Sequence, residues 1–162
     1  MKMDAHAALA GRLRAAWEAR QLVRHVLGEN HPAVSDSALV ASELVANAVV
    51  HSRSGEPGGS LTVSVGTSLQ PPAVCISVRD EGAADGPVIA REDRESEHGR
   101  GLAIVTALAA EWGTEPRGQG RVTWCRLTPE PSGPGAANAW PRTFWPDLDE
   151  RPAPGAELEA EP

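Results

Sequence analysis

Residues 35–52 read SDSALVASELVANAVVHS, and this stretch decides the fold of the chain. Ser35 and Asp36 are favourable helix N-caps, and neither glycine nor proline follows before Gly55. Leucine, valine and alanine side chains occupy most of the circumference of the predicted helix. We therefore predict a helix that is buried on most of its sides.

Two polar side chains interrupt this apolar helix. Glu43 and Asn47 are four residues apart, so their side chains lie on one face, and His51 continues the same line one turn later. A buried polar group without a partner costs about 1–3 kcal/mol, and a buried charge costs more. The partner of this face is therefore either a ligand, or water and a neighbouring loop.

Length and composition limit what the chain can be. It has 162 residues, of which 41% are hydrophobic, and no apolar run approaches the ~20 residues of a membrane span. The net charge of −7 argues against direct binding of nucleic acid, which needs a basic surface. Neither a secretory signal nor a metal-type cysteine spacing is present. We expect a cytoplasmic protein without membrane contact, in which Cys75 and Cys125 are free thiols in the core.

Hydrophobic periodicity predicts further elements in the first half of the chain. A first amphipathic helix is predicted over residues 8–27, and no β-strand is evident before it. Residues 53–59 are rich in glycine and predict a flexible loop. Residues 61–65 and 74–78 alternate between apolar and polar side chains, which predicts two adjacent antiparallel strands.

The second strand leads into a glycine-containing turn, a charged loop and another helix. Residues 80–82 are Asp-Glu-Gly, and residues 83–98 are so rich in charge that they predict a mobile loop. Residues 99–101 are Gly-Arg-Gly and open an apolar helix over residues 102–110, which we expect to end near residues 112–113. A glycine-rich helix start suits the binding of an anion.

The chain changes character after the last predicted strand, residues 121–127. Residues 129–162 hold 8 of the 14 prolines, and seven acidic residues against two arginines. We therefore expect a disordered tail behind a domain formed by residues 1–128. Residues 140–148, WPRTFWPDL, contain three of the six aromatic residues. This segment either folds back onto the domain, which we favour, or docks to a partner protein.

Four elements thus occur in order: a helix with Glu-x-x-x-Asn, a strand that ends in Asp-x-Gly, a charged loop, and Gly-x-Gly at a helix start. The dinucleotide fingerprint, the P-loop and the nucleophile elbow do not fit this pattern. From about residue 19 to residue 127 the chain resembles the Bergerat ATP-binding fold of histidine kinases and gyrase-type topoisomerases. It is most similar to the anti-sigma-factor serine/threonine kinase branch, actinobacterial type. Residues 42–51 resemble the N box, residues 80–82 the first glycine box and residues 99–105 the second.

The resemblance implies a fold and a role for each residue of the site. The implied fold is an α/β two-layer sandwich with helices on one face of a mixed, mostly antiparallel sheet. The implied ligands are ATP and Mg²⁺, and the implied nucleotide-binding residues are Asn47, Asp80, Gly82, Gly99, Arg100, Gly101 and Leu102. Asp80 would accept the adenine amino group, Asn47 would bind Mg²⁺, and residues 83–98 would form a lid. Glu43 would orient or deprotonate the attacking hydroxyl.

The resemblance implies an ATP-dependent serine/threonine kinase that phosphorylates a small anti-sigma antagonist and regulates a sigma factor, and it implies that a homodimer can form. The alternative is a nucleotide-responsive binding module with negligible phosphate transfer. That alternative is supported by the aromatic tail and by Ala84, which replaces the second glycine of the first glycine box. The catalytic domain of a histidine kinase is disfavoured, because no helix pair with a phosphoacceptor histidine precedes the domain, and His25 and His31 lie too close to its start.

Overall fold

The computed structural model describes residues 2–69, 72–83 and 99–128. Its helices and strands are, in chain order, β1 (Lys2–Ala10), α1 (Arg14–Leu27), α2 (Val34–His51), β2 (Ser60–Leu69), β3 (Pro72–Asp80), α3 (Gly99–Leu108), β4 (Glu111–Arg117) and β5 (Gly120–Leu127). A short 3-10 helix, Arg53–Gly55, lies between α2 and β2. Ala84, nearly all of the predicted lid and the whole predicted tail lie outside the described residues.

The five strands form one sheet in the order β1-β2-β3-β5-β4. The predicted pairing of the two alternating segments is confirmed, because β2 and β3 are adjacent and antiparallel, with Val65 opposite Ile76. The other three pairings are antiparallel as well, so the sheet of the described residues is antiparallel throughout rather than mixed. The chain crosses from β3 to β4 through α3, and β5 then returns between them.

All three helices cover one face of this sheet. α2 packs against both α1 and α3 and lies over β3, while α1 contacts β1 and β2, and α3 contacts β4. The core between the two layers is built from buried side chains, among them Val40, Leu44, Val65, Ile76 and Cys125. The predicted two-layer α/β sandwich with helices on one face is confirmed. Within the described residues, no helix has both the length and the apolar character needed to cross a membrane.

The buried helix predicted from residues 35–52 is α2, but its start differs from the prediction. α2 begins at Val34, and its N-cap residue Ala33 makes no side-chain capping bond. Instead, the Ala33 N–H donates to Nδ1 of His31 at 3.1 Å, and the Val34 N–H donates to the His31 carbonyl at 3.0 Å. A turn centred before the helix therefore replaces the cap that we expected from Ser35 and Asp36.

The N-terminal segment is a strand, so the prediction of a helix from residue 8 with no strand before it is wrong. β1 pairs with β2 along most of its length. Exposure alternates as a strand requires, since Leu9 is partly buried and Ala8 is exposed. The many alanines favour a helix locally and hide this alternation, but pairing with β2 overrides the local preference. The first helix begins only at Arg14.

A strand also follows α3, where we predicted that the helix continues to residues 112–113. The helix ends at Leu108, and β4 takes the edge position beside β5. Gly113 allows a close approach of Trp124 to this strand, because a Cβ there would lie 3.0 Å from Cζ2 of Trp124 on β5. Pro116 is tolerated because an edge strand does not need every N–H as a donor. The turn predicted before the last strand is confirmed as the β4–β5 hairpin.

Candidate functional site

One face of α2 carries two polar side chains that the fold leaves unpaired. Glu43 and Asn47 are each partly buried and lie one helical turn apart. Across residues 2–69, 72–83 and 99–128, neither side chain has a hydrogen-bond or ion-pair partner. His51, further along the same line, is exposed. Because both groups are partly exposed and have no partner among the described residues, this face presents a carboxylate and an amide that a ligand or water can bind.

Glu43 lies against the start of α3. A Cβ at Gly101 would come within 2.8 Å of Glu43 Oε2, so a glycine allows this close approach. α3 begins at Gly99, and the N–H groups of its first turn have no partner inside the helix. These N–H groups form the positive end of the helix dipole, so they favour a negative group such as a carboxylate or a phosphate.

Asp80 ends β3 as a buried carboxylate with two hydrogen bonds and an ion pair. Its side chain is 1% exposed. Oδ1 accepts from the Gly82 N–H at 2.8 Å and Oδ2 accepts from Nε of Arg121 at 3.1 Å, while Nη2 of Arg121 forms an ion pair with Oδ2 at 3.1 Å. Arg121 is the cross-strand neighbour of Asp80 on β5. Since a carboxylate has about four acceptor positions, Oδ1 keeps one for a further donor.

The backbone conformation after β3 requires glycine at position 82. Its φ is +73°, in the left-handed region that side chains disfavour. A Cβ at this position would lie 2.2 Å from the carbonyl oxygen of Gln119. The Gly82 carbonyl accepts from the Arg53 N–H at 2.7 Å, which ties the end of β3 to the segment after α2. The resemblance implies that Gly82 contacts adenine. The fold requires glycine at this position independently of any ligand, because of its positive φ and the close approach of Gln119.

The segment after α2 is bonded to the end of β3, although its composition predicted a flexible loop. Arg53 Nη2 donates to the Glu81 carbonyl, and the Glu81 N–H donates to Ser54 Oγ, each at 2.9 Å. The Glu81 carboxylate accepts from the Ser60 hydroxyl at 2.9 Å. Arg53 Nε is buried and has no hydrogen-bond partner among the described residues. Periodicity could not predict the role of these residues, because it carries no information on contacts between positions 28 residues apart.

These groups form two sets along α2, which packs against both β3 and α3. We call the region that they border the cleft, and we name its two ends for the parts of ATP that the resemblance implies. The base end consists of the residues that close β3 and their partners: Asp80, Glu81, Gly82, Arg53 and Arg121. The phosphate end consists of the polar residues of α2 and the start of α3: Glu43, Asn47 and Gly101. From Glu43 to His51 the face of α2 extends over about 12 Å.

The remaining predicted phosphate-binding residues belong to the first turn of α3. Gly99 and Arg100 are its first two residues, and the side chain of Arg100 lies outside the described part of the structure. Leu102 is partly buried one residue beyond Gly101. The predicted residues therefore lie on α2, at the end of β3 and at the start of α3, and α2 contacts both of the other elements.

ATP and Mg²⁺ fit the residues that are present. The free acceptor position of Asp80 suits the exocyclic amino group of adenine, and the N–H groups of α3 suit phosphates. Within the described residues, no group of three His, Cys, Asp or Glu side chains could hold a metal ion. Mg²⁺ does not need such a group, because it is held largely by phosphates and water with one or two protein ligands, and Asn47 can supply one oxygen.

Comparisons with known proteins found one matching family and a similar solved structure. The family described as "Histidine kinase-like ATPase domain" matches residues 5–127. A solved structure, the histidine kinase domain from the Erythrobacter litoralis EL346 blue-light activated histidine kinase, is 18% identical with a TM-score of 0.44. The match covers 75% of this chain and 64% of that chain. No curated protein matches the sequence.

Proposed function

This chain belongs to the histidine kinase-like ATPase domain family, and we propose that it is an ATP-binding serine/threonine protein kinase of the anti-sigma-factor type. The observation that carries the proposal is the phosphate end of the cleft. Glu43 and Asn47 are partly buried, have no partner among the described residues, and lie beside the start of α3. A carboxylate and an amide in this position match the needs of phosphoryl transfer.

The base end supplies recognition of adenine. Asp80 accepts a hydrogen bond from the exocyclic amino group, which guanine lacks at the corresponding position. Gly82 keeps the wall of the pocket free of a side chain, and its φ of +73° fixes the direction of the chain after β3. Arg121 holds the Asp80 carboxylate in place through Oδ2.

The phosphate end positions the triphosphate. The N–H groups at the start of α3 bind phosphate oxygens, and Arg100 adds a positive charge. Asn47 provides one oxygen to Mg²⁺, whose charge reduces the repulsion between the phosphates and the attacking group. Bound ATP with Mg²⁺ supplies the phosphoryl group of the reaction.

Glu43 is the catalytic residue of the proposal. It accepts a hydrogen bond from the serine or threonine hydroxyl of the substrate and takes its proton as the hydroxyl oxygen bonds to the phosphorus atom. The bond between that phosphorus and the leaving ADP oxygen breaks in the same displacement. The substrate is a small anti-sigma antagonist, and a sigma factor is the second partner, in the cytoplasm.

A specific observation favours a second candidate, a nucleotide-responsive binding module with negligible transfer. Asp80 is already bonded to Gly82 through Oδ1 and to Arg121 through Oδ2, which leaves one acceptor position on Oδ1 for adenine. One hydrogen bond to adenine is sufficient for a module that binds the nucleotide only to set its own conformation. The two candidates differ in whether Glu43 matters.

Titration calorimetry with ATP, with and without Mg²⁺, is the first test of the site. Wild type is expected to bind, Asp80→Asn to lose binding, and Asn47→Ala to lose mainly the Mg²⁺ dependence. Absence of ATP binding by wild type would contradict both candidates.

Transfer of label from radiolabelled ATP to a panel of purified anti-sigma antagonist domains then separates the candidates. Glu43→Gln is compared with Glu56→Gln, which changes an exposed glutamate outside the cleft. Loss of transfer in Glu43→Gln alone supports the kinase. Antagonist binding by wild type without any transfer supports the binding module.

A further inference from the structure

The sheet has a second face, which points away from the helices. Side chains alternate along each strand, so Val63 and Val65 point to the helices and Ser64 points away. On β3, Ile76 points to the helices and Ser77 points away. We call this second side the outer face. Its centre consists of Ser64, Cys75, Ser77, Val122, Trp124 and Arg126.

Five of the six residues at the centre of the outer face are buried, although no described helix or strand covers them. Ser77 is 0% exposed, Ser64 is 2% exposed and Arg126 is 6% exposed. All three helices pack on the opposite face, and the described ranges contain no further helix or strand that could lie here. On β1 the outward-pointing His6 and Ala8 are exposed, so burial is confined to the centre of the face. No described helix or strand accounts for this burial.

The chemistry of the centre indicates what the cover contains. The side chain of Trp124 lies against Gly113 on the neighbouring strand, so the indole ring presents a broad aromatic surface over β4 and β5. Ser64 and Ser77 are opposite each other on β2 and β3, and their hydroxyls have no hydrogen-bond partner among the described residues. Buried hydroxyls are normally bonded, so the cover brings polar groups as well as apolar surface. An extended peptide with aromatic side chains has both.

We propose that residues 140–148 of the same chain, WPRTFWPDL, dock on the outer face and bury its centre. Three of the six aromatic residues of the chain lie in this segment. Each aromatic side chain buries about 150–250 Å² when it packs, so three of them are sufficient for the central patch. The backbone groups of the segment and the side chains of Arg142 and Thr143 can form hydrogen bonds with the two serines.

The position of residue 128, the last described residue, favours residues 140–148 over residues 84–98 as the cover. β5 ends at Leu127, one residue after Arg126, so the chain leaves the sheet beside the buried centre. Residues 129–139 reach about 36 Å when extended, which is enough to turn back across the sheet. Residues 84–98 instead leave from the opposite end of β3, about 16 Å from Cys75, and lead into α3 on the other face.

Charge also favours the tail as the cover. Residues 129–162 carry seven acidic residues and two arginines. The outward-pointing charged residues of β3, β4 and β5 are three arginines and two glutamates: Arg79, Arg117, Arg126, Glu111 and Glu115. One of these arginines, Arg126, is buried and pairs with Glu111 at 3.5 Å. The acidic tail therefore meets a face with a small excess of positive charge.

The two cysteines test the proposal because they lie on opposite faces. Cys75 is on the outer face and 6% exposed, whereas Cys125 points to the helices and is 0% exposed. Burial raises the pKa of the Cys75 thiol to about 12, so the reactive thiolate is scarce while the face is covered. In the full chain, Trp140, Phe144 and Trp145 are replaced together by alanine. Maleimide labelling of each cysteine is then followed by peptide mass spectrometry.

Cys75 is expected to label roughly tenfold faster or more in this triple variant, with Cys125 as protected as in wild type. Trp17→Ala is the matched control, because Trp17 is an exposed aromatic residue on α1, and it should leave both rates unchanged. Addition of a synthetic WPRTFWPDL peptide to the triple variant should restore the protection of Cys75, whereas a scrambled peptide should not.

Two outcomes would overturn the proposal. One is unchanged protection of Cys75 in the triple variant. The other is protection in wild type that weakens on dilution, which would assign the cover to a second copy of the chain. If the triple variant exposes Cys125 equally, the three single alanine variants decide the question. Selective labelling of Cys75 in any of them supports docking, and its absence in all three contradicts it.

Discussion

The base end and the phosphate end of the cleft are held in different ways. At the base end, Asp80 accepts two hydrogen bonds and forms an ion pair with Arg121, and Arg53 donates to the carbonyls of Glu81 and Gly82. At the phosphate end, Glu43 and Asn47 have no hydrogen-bond or ion-pair partner in residues 2–69, 72–83 and 99–128. One end is bonded into the fold, and the other presents polar groups that the fold does not use.

This difference distinguishes residues that stabilise the folded chain from residues that are available to bind a ligand. A bonded pocket is preorganised, so its residues affect folding and binding together. Unpaired polar groups contribute little to folding and stay free for the ligand. Substitutions at the two ends should therefore separate the free energy of unfolding from activity, and the expected effects on unfolding decrease from Asp80 to Glu43.

Asp80→Ala should have the largest effect on stability. It leaves the Arg121 guanidinium, which is only 14% exposed, without its carboxylate. Removing one partner of a buried ion pair typically costs about 3–5 kcal/mol, so urea-induced unfolding should show a loss of this order. The double variant with Arg121→Ala should be destabilised by less than the sum of the two single changes. A cost below about 1 kcal/mol for Asp80→Ala would mean that the base end is not bonded into the fold.

Gly82→Ala should have the next largest effect. The substitution places a side chain at a φ of +73° and a Cβ 2.2 Å from the carbonyl oxygen of Gln119, so the backbone has to move. We expect a loss of about 2–3 kcal/mol in the free energy of unfolding. Gly118→Ala is the control, because it has a φ of +59° and no atom within 4 Å of the added Cβ. Equal losses for both variants would show that the approach of Gln119 contributes nothing.

The same contrast explains how much the sequence could predict. The polar face of α2 and the pairing of β2 with β3 follow from local spacing, and so they were predicted correctly. β1 was missed because alanine favours a helix until a neighbouring strand is present. Arg121 was missed because its contact with Asp80 depends on β5 lying beside β3. Local patterns thus pointed to the phosphate end, whereas the bonds of the base end depend on the topology of the sheet.

Gly101→Ala should have little effect on the free energy of unfolding and a larger effect on phosphate transfer. Its Cβ would meet Glu43 Oε2 at 2.8 Å, but this atom is the end of a flexible side chain that can move away. Alanine is favoured over glycine in a helix by up to about 1 kcal/mol, so the free energy of unfolding should be unchanged or slightly higher. Phosphate transfer should fall by about tenfold or more, since Glu43 is displaced. A destabilisation as large as that of Gly82→Ala would show that the two ends do not differ.

Glu43→Gln should have the smallest effect on stability and the clearest effect on activity. The substitution keeps the size of the side chain, and no described residue loses a partner, so the free energy of unfolding should stay within about 0.5 kcal/mol of wild type. ATP affinity measured by calorimetry should change little, while transfer to the antagonist should fall by roughly 10²–10⁴ if glutamate acts as the base. A glutamine at this position can still accept a hydrogen bond but cannot take a proton. Retained transfer would therefore mean that Glu43 only orients the hydroxyl, and a loss of ATP binding instead would place it among the groups that hold the nucleotide.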